Sequence, residues 1–556
     1  MKVRFYNMTD IAAELAKIFK GEIDTTDETR EIYSHDASLF ELKPQVVVFP
    51  NDANDIKALV SWVRENKAKN PDLSITPRGR GTDMSGGAIN DSIILDVSKH
   101  MNLLHEVTAE TAHVQPGMLY REFDAETVKK GSILPSYPAS RDLASVGGMV
   151  SNNSGGEKSL QFGKTDNFVT ELKVILSDGN EYTVKPLNRE ELNAKMAQGD
   201  FEGKLYKKTF ELLDANYDEI HDAAPNVSKD STGYHLWNIW KRDDDIFDLT
   251  KLFIGAQGTL GIITDIKFKL VPKPEFSGTL VCYMKDIDEL GDVIPTVLSH
   301  KPATFECFDD NTLWLSFKFF FSFLKKLGFV AWVRLALQLI PDGLMLIKGI
   351  PRLILLIEFN GSSVDEVKEK IHTTRLDLEK YNFTYMEEDE TEEKSRKFWL
   401  MRRESFNLLR SKVKDKHTAP FIDDMVVRPE HLSEFLPQLR AIIVKYKLLA
   451  TIAGHLGDGN FHVIPLMKIE DPKERAKLQP AMKEVNTLVI KYGGSVSGEH
   501  NDGMVRGPWL EQMYSPSVLG YMKELKSLYD PTNIFNPHKK TDANWDYSFS
   551  HIRERF

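Results

Sequence analysis

The segment His455-Leu-Gly-Asp-Gly-Asn-Phe-His462, answered downstream by Ser497-Gly-Glu-His500, constrains this chain more than any other stretch. Residues 448–454 read as a strand and 461–465 as its return, with Asp458-Gly459 a strong type I′ hairpin signal between them. A two-residue turn there predicts that Gly457 pairs with Asn460, Leu456 with Phe461 and His455 with His462. Directly opposed residues share a face, with Cβ atoms roughly 5 Å apart. Such a pair suits one divalent metal, zinc or manganese, with Glu499 as the natural third ligand. Two imidazoles and a carboxylate are a common zinc set that leaves a position open for substrate. The plainer alternative is a Gly-rich hairpin with two solvated histidines; Glu499-His500 weighs against it.

A chain of 556 residues needs at least two cores. Its hydrophobic content of 41% and charged content of 28% are those of an ordinary folded protein. A net charge of −11, with no basic groove sequence, excludes a nucleic-acid partner. Cys282 and Cys307 are the only cysteines, so no disulfide framework or cysteine-based metal site is expected. Residues 1–10 lack the apolar core of an export signal and lead into a helix at 11–19, so a cytoplasmic location is expected.

From residue 45 the pattern is α/β, with strands at 46–49, 73–76, 93–97, 170–176 and 261–268 and a helix at 54–66. Pro272-Lys-Pro274 reads as a linker. Beyond it, strands at 278–283, 303–307 and 353–359 and a helix at 363–381 predict an α+β layer, an antiparallel sheet backed by helices. The tail, 525–537, reads as a helix closing in a turn. Residues 313–352 stand apart: densely apolar, interrupted by lysines and arginines, and split by Pro341-Asp-Gly343. Their uncharged runs are too short to span a bilayer, which takes about 20 apolar residues. Apolar bulk with a basic bias fits a helix pair lying on an anionic membrane surface. Buried helices with snorkelling basic ends are the alternative.

Three Gly-rich segments suit a backbone that approaches a ligand closely. Pro77-Arg-Gly-Arg-Gly-Thr-Asp-Met-Ser-Gly-Gly87 follows a strand, and its backbone N–H groups can converge on anionic oxygens, helped by Arg78 and Arg80. Met84 stands where a dinucleotide fingerprint needs glycine, and no Walker lysine follows, so the common nucleotide folds are excluded. Residues 138–156 hold two Gly pairs around a polar Asn run, a composition poor for a core and good for wrapping a ligand. Gly255-Ala-Gln-Gly-Thr-Leu-Gly261 then feeds a strand.

In this order the motifs resemble the FAD-linked oxidoreductases of the vanillyl-alcohol oxidase / p-cresol methylhydroxylase fold. Within them the chain is similar to the D-lactate, D-2-hydroxyglutarate and glycolate dehydrogenase group. The resemblance runs from about residue 44 to 537, apart from the insert. It implies an N-terminal segment (1–43), a two-subdomain FAD-binding domain (44–274), a ferredoxin-like α+β cap (275–515) and a tail (516–556) returning to the FAD domain. Arg78, Gly79, Arg80, Gly81, Thr82, Asp83, Gly86 and Gly87 would take the FAD pyrophosphate. Pro138, Ser140, Gly148, Asn152 and Gly156 would line the cofactor, with Ile263 and Asn536 close to it. Neither Gly-rich segment from 77 to 87 or 138 to 156 offers the His or Cys of covalent attachment, so non-covalent FAD is expected.

The resemblance also makes His455, His462 and Glu499 metal ligands, His500 the catalytic base, and Arg403 the grip on a substrate carboxylate. A planar guanidinium pairs bidentately with a carboxylate. The implied reaction is oxidation of a D-2-hydroxy acid, D-lactate favoured, to the 2-oxo acid, with hydride passing to flavin N5 and electrons to quinone or another carrier. Ile464 replaces the polar residue usual two places after the second histidine, and no lysine among 412, 414 and 416 aligns to hold a distal acid group, which weakens a glutarate substrate. D-2-hydroxyglutarate or glycolate oxidation, a metallohydrolase and a flavin-binding electron-relay subunit at the inner membrane face are the alternatives.

Overall fold

The computed structural model describes residues 8–310, 351–389, 398–399 and 416–554. Arg403 and nearly all of the 313–352 insert lie outside them. The first sheet joins β1 (Glu22–Asp24), β2 (Val46–Phe49), β3 (Ile75–Arg78) and β4 (Ile93–Asp96) in the order β1-β2-β4-β3. β2, β4 and β3 are mutually parallel, and β1 runs antiparallel at the edge. β2 is wholly apolar and β4 is apolar up to Asp96, and every residue of both strands is buried, as burial on both faces requires. Helix α1 (Ala53–Asn66) starts where the Asp52 carboxylate accepts from the N–H groups of Asn54 and Asp55, and it buries Ile56, Leu59, Val60 and Val63 on this sheet.

The second sheet is antiparallel, built from β5 (Leu104–Val107), β6 (Thr111–Val114), β7 (Val169–Ile175), β8 (Glu181–Val184) and β9 (Ile262–Lys269), in the order β5-β6-β9-β7-β8. Burial alternates strictly along β9, the mark of a sheet with one covered face. Helix α2 (Pro516–Tyr529) drops Val518, Met522, Leu525 and Tyr529 into the same core. The expected tail helix at 525–537 therefore begins earlier, where Ser515 caps and Pro516 fills the first turn, and ends by Asp530. Residues 534–536 then bond to β3: the Asn536 N–H donates to Ile75 O at 2.9 Å. The expected linker is partly ordered, since Val271–Pro272 pairs with Ser132–Ile133.

Among the described residues the third sheet has eight strands. Its first four, β10 (Phe276–Met284), β11 (Thr304–Asp309), β12 (Leu353–Gly361) and β13 (Phe383–Asp389), lie in the order β13-β10-β12-β11. Helices Leu290–Ser299 and Val364–Leu378 make the two crossovers, so this is the β-α-β-β-α-β pattern of a ferredoxin-like unit. The insert enters at the β11–β12 hairpin, whose mouth is bridged by Arg352 and Asp310 at 3.2 Å. On the far side, β11 pairs with β14 (Leu449–His455), which returns as β15 (Asn460–Met467). The histidine hairpin is thus an extension of the cap sheet.

Candidate active site

The hairpin turns one step earlier than Asp458-Gly459 alone predicts. His455 pairs with Asn460, Gly454 with Phe461 and Ala453 with His462. Leu456–Asp458 form a single 3-10 turn closed by Gly459 at φ +67°. The reason is Asp458. Its carboxylate is buried against the Lys229 ammonium, 3.1 Å away, and its carbonyl accepts from the Ser228 hydroxyl at 2.7 Å. It cannot stand out in solvent as a two-residue turn requires. A side chain at Gly459 would also strike Val427 O. The corrected register differs by two residues, so parity is kept and both histidines remain on one face. Their ring centroids are 5.3 Å apart.

Glu499 joins them. Its Oε1 lies 3.2 Å from His455 Nε2, 3.4 Å from His462 Nε2 and 3.9 Å from His500 Nε2. Three imidazoles therefore aim the same ring nitrogen at one carboxylate oxygen. The opposite nitrogens are held from behind: His455 Nδ1 by Glu306 at 2.6 Å, and His462 Nδ1 by Asp423 at 3.1 Å. His500 Nδ1 lies 2.8 Å from the other Asp423 oxygen. Carboxylates behind imidazoles fix ring orientation in metal sites. His455 and Glu499 are buried, while His462 and His500 keep one open side, and their rings stack at 4.9 Å.

The electrostatics favour a cation here. Burial works against charge on His462, yet Asp423 and Glu499 outweigh it and push the imidazole up to about 10. Burial likewise opposes charge on His500, and Asp424 and Asp423 raise it. Glu499 is buried, but Lys229 and His455 hold it well below the usual carboxylate range. A divalent ion would supply the same compensation as the ring protons, and two imidazoles with a carboxylate are apt donors for it.

Two groups that position the cluster carried no signal in the sequence. Asp424, fully buried at φ +70°, accepts from the N–H groups of Glu499 (2.9 Å) and His500 (2.7 Å) and from the Ser497 hydroxyl (2.8 Å). It fixes the loop that presents both side chains. Lys229, also fully buried, joins Asp458, Glu499 (3.2 Å) and Gly156 O (3.4 Å). Each sits far in sequence from the motifs it serves.

Lys229 also connects the cluster to the Gly-rich segments. A Cβ at Gly155 would stand 2.9 Å from Glu499 Oε2, and one at Gly156 would stand 2.1 Å from Tyr137 O. Asn501 donates to Asn152 O and Gly255 O (3.2 and 2.8 Å), and Gly503 N–H to Gln257 Oε1 at 2.8 Å. The loops are laced together by Asp83, which accepts from the N–H groups of Ser85 and Gly87 and from Asn152 Nδ2 at 2.8 Å. Gly148 is exposed in the first turn of helix Val146–Asn152, and Pro138 and Ser140 are half-buried nearby in sequence.

The 77–87 loop leaves backbone donors available for the expected phosphate contacts. Among the described residues, the N–H groups of Gly79, Arg80, Gly81 and Thr82 donate to no protein acceptor. Consecutive free N–H groups after a strand form an anion nest. The side chains are less uniform. Arg78 turns inward to the carbonyls of His35 (2.9 Å) and Ala88 (3.2 Å), while Arg80 is exposed. Asn536 is buried, its amide spent on Thr76, Gly87 O and Gln257 O, so its side chain braces the loops. Ile263 lies in β9, paired with Val174.

Free N–H groups in a Gly-rich loop, a buried histidine–carboxylate cluster and a ferredoxin-like unit together suit a cofactor-dependent enzyme. Comparison with known families specifies it: a FAD binding domain model matches residues 44–185, and a model of the C-terminal domain of FAD linked oxidases matches 273–540. The chain therefore has the two-domain architecture of the FAD linked oxidases, in the fold of p-cresol methylhydroxylase. It is 28% identical over 534 residues to a D-2-hydroxyglutarate dehydrogenase of Pseudomonas putida, covering 94% of this chain and 50% of the relative. The chain spans about half the length of several such relatives. The glycolate oxidase subunit GlcD of Bacillus subtilis is 27% identical (95% and 96% covered), and a D-lactate dehydrogenase of Anaerostipes hadrus 24% identical (96% and 98%). The 4-ethylphenol oxidase from Gulosibacter chungangensis superposes with a TM-score of 0.67 at 14% identity (96% and 97% covered). Substrate-bound p-cresol methylhydroxylase gives 0.66 at 15% (97% and 98%). These two likenesses establish the fold.

Proposed function

We propose that this chain oxidises a D-2-hydroxy acid, D-lactate in first place, to the 2-oxo acid, with non-covalent FAD and a divalent metal. The observation that carries the reading is the convergence of three imidazole Nε2 atoms on Glu499 Oε1 next to Gly155 and Gly156. FAD, when bound, supplies a two-electron acceptor. His455, His462 and Glu499 would hold the metal, whose chemistry is to polarise the hydroxyl and lower its pKa.

The chain's own groups do the rest. Asp423 faces Nδ1 of His500 and leaves Nε2 on the open side to receive the hydroxyl proton. Arg403 would grip the carboxylate, a role resting on its place in the sequence. Ile464 is buried two residues after His462 on the same strand face, an apolar neighbour that suits a methyl group over a second carboxylate. The test is an anaerobic panel of D-lactate, D-2-hydroxyglutarate and glycolate, read at the flavin band. D-lactate should bleach it fastest. Bleaching by none of the three would overturn the dehydrogenase reading and favour an electron-relay subunit.

Electrons would pass to a quinone if residues 313–352 lie on a membrane surface. The support is their apolar, basic-biased composition. No helix among the described residues is long and apolar enough to cross a membrane. Deleting 313–352 should move the protein from membrane fractions to the supernatant; an unchanged distribution would remove the insert as anchor.

A further inference from the structure

A second ligand cluster lies outside this site, on the five-stranded sheet. His105, His113 and Asp265 place one donor atom each within 4.8 Å of one another. His113 Nε2 contacts Asp265 Oδ1, and His105 Nε2 lies 3.3 Å from Oδ2, so both rings address one carboxylate. The ring centroids are 4.4 Å apart.

The backbone explains the meeting. β5 pairs with β6 as Leu104↔Val114 and Glu106↔His113, leaving His105 as an extra residue. A bulge of this kind sets two residues against one and re-aims a side chain. His113 is opposite Lys267 on β9, so Asp265, two residues away on the same strand, shares its face. Without the irregularity, alternation would send His105 to the face opposite Glu106. The nearby Lys267 is turned to Glu171 at 2.9 Å. His105 and His113 are about 30% exposed and Asp265 only 13%, which leaves room for water to complete a coordination shell. One half-buried carboxylate between two imidazoles is an acceptor set for a borderline divalent ion.

We propose that His105, His113 and Asp265 form a second divalent-metal site, of the zinc class, that clasps strands β5, β6 and β9. It is independent of the active-site metal. The test is equilibrium dialysis of chelator-stripped full-length protein against Zn²⁺, with metal content measured for wild type, His105→Ala, His113→Ala, Asp265→Asn and His455→Ala. Wild type should bind two equivalents. Each sheet variant should weaken one of them by a hundredfold or more, since even outer-shell changes at metal sites cost about 10–100-fold. His455→Ala should keep the sheet equivalent. One equivalent in wild type that only the sheet variants remove would leave this proposal standing and sink the active-site metal. Unchanged stoichiometry and affinity in all three sheet variants would overturn it. A circular-dichroism spectrum matching wild type confirms that a variant which loses metal is folded.

Discussion

His500→Ala should slow anaerobic flavin reduction by 2-hydroxy acid about 10²–10⁴-fold, the usual cost of losing a general base. Flavin and metal content should stay at wild-type levels. The geometry separates these effects. The His500 N–H that Asp424 anchors belongs to the backbone and survives the change. His462 keeps its own bond to Asp423, and Glu499 keeps His455 and His462. Only the ring whose Nε2 faces the open side is lost. Stopped-flow bleaching is the decisive measurement. A rate within a few-fold of wild type would refute the base assignment, and loss of flavin or metal would reassign the ring to a structural part.

Much of this arrangement was legible before any coordinates. The apolar run at 46–49 and the β-rich segments at 93–97 and 261–268 announced strands of an α/β layer, and all three are strands in the fold. The histidines, Glu499 and the glycine pairs were visible because their chemistry is crowded into short windows. The hairpin register was misjudged because local turn chemistry competes with a tertiary partner. Lys229, more than two hundred residues upstream, draws Asp458 inward, and nothing near either residue records it. Asp423 and Asp424 were invisible for the same reason: adjacent acids in an ordinary segment become second-layer holders only when β15 and the 497–500 loop close on them. Arg78 shows the converse. A guanidinium in a Gly-rich loop reads as a phosphate partner, yet backbone carbonyls of residues 35 and 88 occupy it, tying the N-terminal segment to the loop.

Lys229→Met should destabilise the protein by about 3–5 kcal/mol in denaturant unfolding, the range for removing one partner of a buried ion pair. Its ammonium is 1% exposed, between Asp458 at 4% and Glu499 at 7%. The two carboxylates do not depend on it equally. Glu499 retains His455 and His462, whereas Asp458 has no second cation within ion-pair distance among the described residues. Most of the cost should therefore sit on Asp458. The double variant Lys229→Met/Asp458→Asn should recover more than half of the loss, because the stranded charge is removed with its partner. Residues in contact commonly show coupling of about 0.5–3 kcal/mol, so the cycle can resolve this. Additive losses would mean that Lys229 stabilises by filling space and not by charge. Recovery would establish that Asp458 is held inside the hairpin turn by the charge of a residue more than two hundred positions upstream.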